Sequence, residues 1–562
     1  MKTRLKQTAV SAMGHMKSES KAGILIGAIR VSVDTADEEI LNKAKEKMKR
    51  AGLSTSTLHF RLYKKSVDAR RRDDIRFECS VLAEGEIDPR AYAESRLKRA
   101  DARIFQEESP IFSFGDEKLK KRPLVVGMGP AGLFAAFLLA RNGYAPILID
   151  RGGSIEERVR DVEQFRFVGV LNTESNIQFG AGGAGTFSDG KLVTRIHDPR
   201  TGFVLRTLHQ FGAPDEILYQ AKPHIGTDLL RKVVSSMLQA IEGLGGEIHY
   251  HCRMDDFLEH ADGTVCVQTN QGAFSCGAVI LAPGHSARDT YERLIEKSFA
   301  LEPKPISIGV RVEHLQTDID RALYGAFAGH PNLGHAEYAL SDTRTDRGVY
   351  TFCMCPGGEV VAAASEEGGL VVNGMSNHAR SGPNANAAVV VSVGCSDIEP
   401  VGGNAVRGAI ALQRRVERAA YQTGGGDYVA PVMTVGDFLN GTRGTEPGRI
   451  LPSYRGGKVS LQDLAPVFPQ FINDSLRYGL RSFGKKIEGY DASDAILTAA
   501  ETRTSAPLRI LRDPNVLTAI GHSRIYPCGE GAGYAGGITS AAVDGVRVAT
   551  SLMSCFAPPE SD

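Results

Sequence analysis

The sequence predicts an α/β protein in which a dinucleotide-binding domain is discontinuous along the chain, with an α+β domain inserted into it and a small α/β domain ahead of it. Three stretches carry this expectation. A βαβ signature occupies 124–150 (LVVGMGPAGLFAAFLLARNGYAPILID), a second Gly-rich loop follows at 179–192, and a strand running into a Gly-rich helix start closes the chain at 525–552. The expected boundaries are a disordered tail over 1–22, an N-terminal domain over 23–110, the nucleotide domain over 121–295 and 501–555, and an insert over 300–500 that forms the substrate domain.

Composition limits the choices. A chain of 562 residues exceeds one ordinary domain, and 42% hydrophobic with 23% charged residues is the balance of a globular protein. The net charge of zero leaves no global field to recruit nucleic acid or an anionic membrane. Nine Cys show neither Cys-x-x-Cys nor His spacing, which argues against zinc, an iron–sulfur cluster and a secreted disulfide framework. No metal is expected, and a reducing, cytoplasmic location is the default. No apolar run approaches the ~18 residues of a membrane span. Lys2, Arg4, Lys6 and Lys17 near the start are read as part of a tail rather than a transit peptide.

The N-terminal domain opens with a strand over Ile24 to Val33, and Thr35 with Glu38 suggests a capping box for a helix through Met48 to Gly52. Strands over Leu58 to Tyr63 and Ile75 to Leu82 follow, then a charged helical connector from Ala91 to Arg103. Arg61, Lys64, Lys65, Arg70, Arg71 and Arg72 gather here, and residues 1–110 hold 23 basic against 17 acidic residues, a net charge of +6. Tyr63 is the single aromatic residue among them, too few for a stacking platform, so they are read as a solvated face and nucleic acid is not expected as a partner.

In the βαβ unit each residue type has a task. Gly127 permits the tight turn, Gly129 lets backbone N–H groups approach a pyrophosphate, Gly132 lets helix and strand pack, and Asp150 is placed to accept from ribose hydroxyls. Phosphates then meet free N–H groups and the positive end of a helix dipole. The loop at 179–192 (FGAGGAGTFSDGKL) adds five Gly with Thr186, Ser188, Asp189 and Lys191, a composition able to wrap a long cofactor. KPHIGTD at 222–228 precedes a helix capped by Thr227 or Asp228, and His224 is read either as a base or as a loop histidine with local partners. GEIHYHCRM at 246–254 is read as one strand. The strand Ala278 to Leu281 breaks on Ala282, Pro283, Gly284 and His285, as a chain does when it passes beneath a nucleotide.

The insert is expected to be a mostly antiparallel sheet, with strands over Ser307 to Val312, Gly348 to Cys353, Val360 to Ala364 and Ala388 to Val393, and helices near 403–420 and 461–486. Cys353 and Cys355, two apart on a strand, point to one face. Disulfide closure there would strain an extended backbone, so packing or substrate contact is expected. The closing segment delivers Gly529 and Glu530 from a strand, and Gly536, Gly537 and Ile538 open the last helix.

Four of these elements in this order resemble the flavoprotein superfamily of glutathione reductase. At a finer grain the chain resembles a broad group of FAD-dependent dehydrogenases of largely unassigned substrate. The match is carried by SVDAR (66–70), FGAGGAGTFSDGKL, KPHIGTD, ILAPGHSARDT (280–290), FCMCPGG (352–358), NGMSN (373–377), ETRTSAP (501–507) and GEGAGYAGGITSAAVDG (529–545), so it covers nearly the whole chain after the tail. The resemblance implies a Rossmann-type FAD-binding domain. In it Gly127, Gly129, Pro130, Ala131, Gly132, Asp150 and Arg151 hold the ADP end, and Gly185, Thr186, Ser188 and Lys191 line the middle. Arg253 flanks the adenine, Ala282 and Gly284 pass beneath the cofactor, and Gly529, Glu530, Gly537 and Ile538 lie at the flavin end. Asp150 stands where Glu is commoner in the group, Ala181 where Glu is frequent, and Glu530 where Asp is usual.

The Gly-x-Gly-x-x-Gly strings at 180–185 and 531–536 are not set in a second strand–helix–strand unit closing on an acid, hence no separate NAD(P)H domain is expected. The expected function is an FAD-dependent oxidoreductase moving a hydride between the flavin N5 and a small polar or anionic metabolite, with NAD(P)H only as a transient visitor to the same cavity. Arg503 in ETRTSAP is expected to grip a carboxylate or phosphate, Glu501 to hold Arg503 or act as base, and Arg380 and His285 to complete the catalytic set. The alternatives are a flavin-dependent monooxygenase and a tRNA-modifying flavoprotein that docks through its basic N-terminal domain.

Overall fold

The computed structural model describes residues 22–85, 92–106, 110–344 and 346–560. The expected tail falls almost wholly outside them, as does Ala91 at the start of the connector. The fold is mixed α/β with several sheets, and the chain divides into two compact units.

One unit comprises residues 1–111 together with 195–224 and 320–336. Its sheet has four antiparallel strands in the order His59–Asp68, Arg76–Glu84, Ala22–Ser32, Ala102–Gln106. The helix Asp37–Arg50 buries Ile40, Ala44 and Met48, a four-residue spacing that draws one stripe down the helix. Asp37, Glu38 and Glu39 in its first turn and Lys47, Lys49 and Arg50 in its last complement the helix dipole. The expected capping box is absent. The N-cap is Ala36 without a side-chain cap, and Thr35 is taken into the preceding turn, its N–H donating to Ser32 O at 3.1 Å. The basic cluster is largely neutralised within the unit: Arg61 pairs with Glu84, Lys65 with Asp37, Arg70 with Asp68 and Arg71 with Asp73.

The other unit comprises 112–194, 225–319 and 337–562. At its centre is a parallel five-stranded sheet in the order Ile525–Pro527, Val279–Leu281, Leu124–Val126, Ile147–Ile149, Glu247–His249. The four strands from Ile525–Pro527 to Ile147–Ile149 are buried along their length, which is why they read as apolar runs without alternation. The helix Pro130–Arg141 buries every residue from Ala131 to Ala140. The final helix, Ile538–Cys555, approaches it so closely that a Cβ on Gly545 would lie 2.1 Å from Ala131 O. The segment read as one strand over 246–254 is two, Glu247–His249 and Met254–Glu259, separated where His251 takes a φ of 53°.

A seven-stranded sheet supplies the other half of this unit, in the order 341–342, 349–355, 384–393, 306–315, 496–501, 430–434, 459–461. It is antiparallel except for the pair Ala430–Thr434 and Val459–Leu461. The helices beside it run Ala405–Thr423 and Gln470–Gly484. The second begins later than expected because Pro466 and Pro469 keep the preceding turns out of the helix.

Candidate functional site

Three strands of the parallel sheet end side by side, at Gly127, Asp150 and Ala282, and a cavity of about 330 Å³ opens over these ends. Gly127 sits at φ 99°, where a Cβ would meet Ala282 O at 2.2 Å, so only glycine fits. Gly132 is required for packing, since a Cβ there would lie 1.9 Å from Gly127 O. Gly129 differs: a Cβ would find nothing nearer than Gly183 Cα at 3.8 Å, and its bare backbone faces the cavity. Asp150 accepts from Met128 N at 2.8 Å on one oxygen and from Gly152 N at 2.9 Å on the other, which ties the two strand ends together.

The loop over 176–183 is shaped by a residue the sequence did not single out. Arg158 is fully buried, and its guanidinium donates to the carbonyls of Asn176, Ile177, Gly180, Ala181 and Gly183 at 2.7–3.3 Å. The signal available in sequence was an arginine on a helix adjacent to a Gly-rich loop, which is weak. With Arg158 in place, Gly180, Gly183, Gly185, Ser188, Asp189 and Lys191 line the cavity.

Facing the glycines is a wall from the second sheet and its neighbours: Phe352, Cys353, Asn373, Arg503 and Thr504, with His285 and Glu530 beside them. His285 Nδ1 lies 4.0 Å from Glu530 Oε1, and His285 Nε2 is buried without a hydrogen-bond partner among the described residues. Burial pulls the His285 pKa down to about 4, helped by the charges of Arg503 and Arg288. Burial pushes the Glu530 carboxyl up to about 7, against the pull of Lys304.

The expected site residues divide. Gly127, Gly129, Pro130, Ala131, Asp150, Arg151, Gly185, Ser188, Lys191, Arg253, Ala282, Gly284, Glu530, Gly537 and Ile538 line the cavity, as do Arg503 and His285. Gly132, Thr186 and Gly529 lie behind the wall: Thr186 is fully buried, and Gly529 N donates to Asp544 Oδ2 at 2.8 Å. Glu501 does not hold Arg503. It grips Arg311 with both oxygens, at 2.8 and 3.0 Å, because the adjacent strand carrying Arg311 brings that guanidinium beneath it. Arg503 is held instead by Glu417, at 3.2 Å from Nε and Nη2, and by Ser365 Oγ. Arg380 also stays off the wall, tied to Asp189 at 3.0 Å and to Glu337 at 2.6 Å. Neither Thr227 nor Asp228 caps its helix. Gly226 is the N-cap, the Thr227 hydroxyl donates to Thr186 O, and Asp228 accepts from His378 N at 2.7 Å. Gln178, Phe179, Cys252, Met254 and Cys528 line the cavity without having been expected there.

Residues 305–504 match the family described as "FAD-dependent protein, C-terminal domain-like", and residues 24–84 match a domain of unknown function. An uncharacterized protein of Clostridium beijerinckii is 45% identical over 544 residues, which covers 96% of this chain and all of that protein. The chain belongs to a family of FAD-dependent flavoproteins. Solved structures also align with this flavoprotein. The tetracycline destructase Tet(55) does so at 13% identity over 78% of this chain and 82% of its own, with a TM-score of 0.36. The halogenase PltM does so at 11% identity over 76% and 68%, with a TM-score of 0.37. Those values are too low to carry either protein's chemistry across.

The residues of this flavoprotein fit the cofactor. Gly129, Gly284, Gly536 and Gly537 all line the cavity, and an added Cβ would find nothing within 3.5 Å at Gly129 and nothing within 4 Å at the other three. Bare backbone is thus presented along the cavity from the start of Pro130–Arg141 to the start of Ile538–Cys555. No helix among the described residues is long and apolar enough to cross a membrane.

Proposed function

We propose that this flavoprotein is an oxidoreductase that moves a hydride between a small polar or anionic metabolite and FAD held in the cavity of a Rossmann-type domain. The observation that carries this is the cavity itself, whose glycine-lined backbone edge over a parallel sheet faces a wall bearing Arg503. When bound, FAD supplies two-electron chemistry that no side chain offers. Gly129 and the N–H groups opening Pro130–Arg141 would receive the pyrophosphate, and Gly537 and Ile538 the flavin end.

Arg503 acts on the metabolite. Three of the five N–H groups of its guanidinium are committed to Glu417 and Ser365, which leaves two to receive an anionic or polar group and fixes the fork that offers them. His285 Nε2 contributes a further polar atom at the same wall. Because burial keeps this imidazole neutral through the physiological range, it accepts or donates a hydrogen bond without adding charge. NAD(P)H is a reductant visiting the same cavity, since no second βαβ unit with a glycine fingerprint and a closing acid is read in the sequence to house it.

The test begins with the visible spectrum of the purified protein, then follows flavin reduction under anaerobic conditions by a panel of small hydroxy and amino acids and by NAD(P)H. Arg503→Lys, which keeps the charge but not the fork, is expected to raise KM for the reducing metabolite ten-fold or more with FAD content unchanged. A colourless protein that takes up no FAD on reconstitution overturns the proposal. Oxygen consumption coupled to an oxygenated product would replace it with monooxygenase chemistry.

A further inference from the structure

The strand Val349–Cys355 is irregular where it reaches the cavity. Its pairing with Asn384–Val393 runs regularly to Phe352↔Ala388 and resumes at Cys355↔Asn386, so three residue steps on one strand face two on the other. Cys353 takes up the bulge with a φ of 46°. On a regular strand, residues two apart have Cα atoms about 6.4–6.8 Å apart, at the outer limit of what a disulfide spans. The extra residue fits the three steps from Phe352 to Cys355 into about two rises, so the chain between them buckles. Cys355 folds back accordingly, its thiol donating to Cys353 O at 3.3 Å. The expectation that an extended backbone keeps this pair open is therefore corrected: the backbone there is not extended.

The surroundings suit a thiolate. Cys353 lines the cavity and Cys355 is buried behind it. Arg311, locked by Glu501 and Asn386, places Nη1 3.2 Å from Cys353 O and 4.0 Å from Cys355 Sγ. Lys191 lines the same cavity. The neighbouring Cys355 thiol, and then the charges of Arg311 and Lys191, hold the Cys353 thiol below its ordinary pKa against the opposing effect of burial.

We propose that Cys353 and Cys355 are a redox-active dithiol that exchanges two electrons with flavin bound in this cavity. The electron partner rests on the flavoprotein function proposed above; the pair itself does not. On closure the Cys355 S–H bond breaks and an S–S bond forms between the Cys353 thiolate and the Cys355 sulfur. Two electrons and one proton are released, and oxidised flavin accepts both to become its reduced anionic form, so charge and atoms balance. In reverse, reduced flavin reopens the disulfide. The pair is thus a two-electron store on the cavity wall, and its surface-side sulfur, Cys353, is the one available to a thiol, disulfide or other two-electron acceptor entering the cavity.

Two measurements decide it. Flavin-free wild-type protein treated with diamide is expected to lose two hydrogens in intact mass, with peptide mapping placing the disulfide between Cys353 and Cys355. FAD-loaded protein first oxidised with diamide, desalted and then titrated anaerobically with dithionite is expected to take four electrons per flavin, falling to two in Cys353→Ser and in Cys355→Ser, each checked for folding by circular dichroism. If both thiols remain alkylatable after diamide, the pair is not a dithiol switch and the proposal falls whatever the flavin does. A disulfide that forms with diamide while the wild-type titration stops at two electrons overturns the exchange with flavin. A protein that binds no FAD but closes the disulfide leaves the pair standing and removes the flavoprotein function instead.

Discussion

Glu417 stands between Arg288 and Arg503 and accepts hydrogen bonds from both guanidinium groups, at 2.7 and 2.9 Å from Arg288 and 3.2 Å from two nitrogens of Arg503. Burial alone would raise its pKa, but the charges of Arg503 and Arg288 hold the carboxyl well below the usual range. Its contribution to stability is therefore complete above the unfolded carboxylate pKa and is lost as pH falls toward the folded one. Glu417→Gln leaves the buried Arg503 guanidinium without a directly bonded carboxylate, while Arg288 keeps Glu366 at 2.8 Å. It is expected to destabilise by about 3–5 kcal/mol at pH 7, read from denaturant unfolding. Arg503→Met should cost less, because Arg288 still neutralises Glu417.

His285 and Glu530 give opposite pH slopes. The His285 pKa is lowered to about 4, so the folded state binds fewer protons than the unfolded one and stability rises with pH from about 4 to 6.5. The Glu530 pKa is raised to about 7, so the folded state binds more protons and stability falls as pH rises from about 4.5 to 7. In the wild-type apoprotein the two slopes largely cancel between pH 4.5 and 6.5. Glu530→Gln is expected to expose the rising slope and His285→Asn the falling one, each by up to about 3 kcal/mol before screening by cavity water. Thermal midpoints across this pH range check the signs, and a flat profile in both variants would refute the assignment.

Much of this was legible because short-range chemistry dictated it. The strands Leu124–Val126 and Ile147–Ile149 lie at the two ends of the βαβ signature read over 124–150, since an apolar run must stop where Gly127 and Asp150 begin. The antiparallel strands of the insert were found for the same reason, with ends displaced by a few residues. What escaped was anything fixed by partners distant in sequence. Glu501 and Arg503 are two residues apart, yet one turns to Arg311 and the other to Glu417, 190 and 86 positions away. Arg158 and the bulge at Cys353 belong to the same class: a carbonyl cluster and a strand register do not exist until the chain has folded.

Arg158 is the clearest case for a test. Its guanidinium satisfies five carbonyls of one loop, and no other described side chain is shown doing so. Arg158→Met preserves apolar bulk but leaves those acceptors buried and unpaired, at about 1–3 kcal/mol for each that finds no water. The loop over 176–183 is expected to become the first site of limited proteolysis, and FAD affinity to fall ten-fold or more by fluorescence titration. Unchanged affinity would show that the loop keeps its shape without the arginine.

The fingerprint glycines should separate by mechanism. At Gly132 a Cβ would lie 1.9 Å from Gly127 O, a clash between backbone atoms that no rotamer relieves. Gly132→Ala is therefore expected to reduce soluble yield or lower the thermal midpoint of the apoprotein, before any cofactor is considered. At Gly129 the nearest atom is 3.8 Å away and φ is −70°, which alanine adopts freely. Gly129→Ala should leave apoprotein stability within about 0.5 kcal/mol of wild type. The methyl group would instead occupy the cavity edge proposed above to receive a pyrophosphate, so FAD affinity should fall while the fold stays intact. Loss of apoprotein stability in Gly129→Ala, or full FAD affinity in the folded variant, would contradict this division of labour between a glycine that packs the βαβ unit and one that faces its ligand.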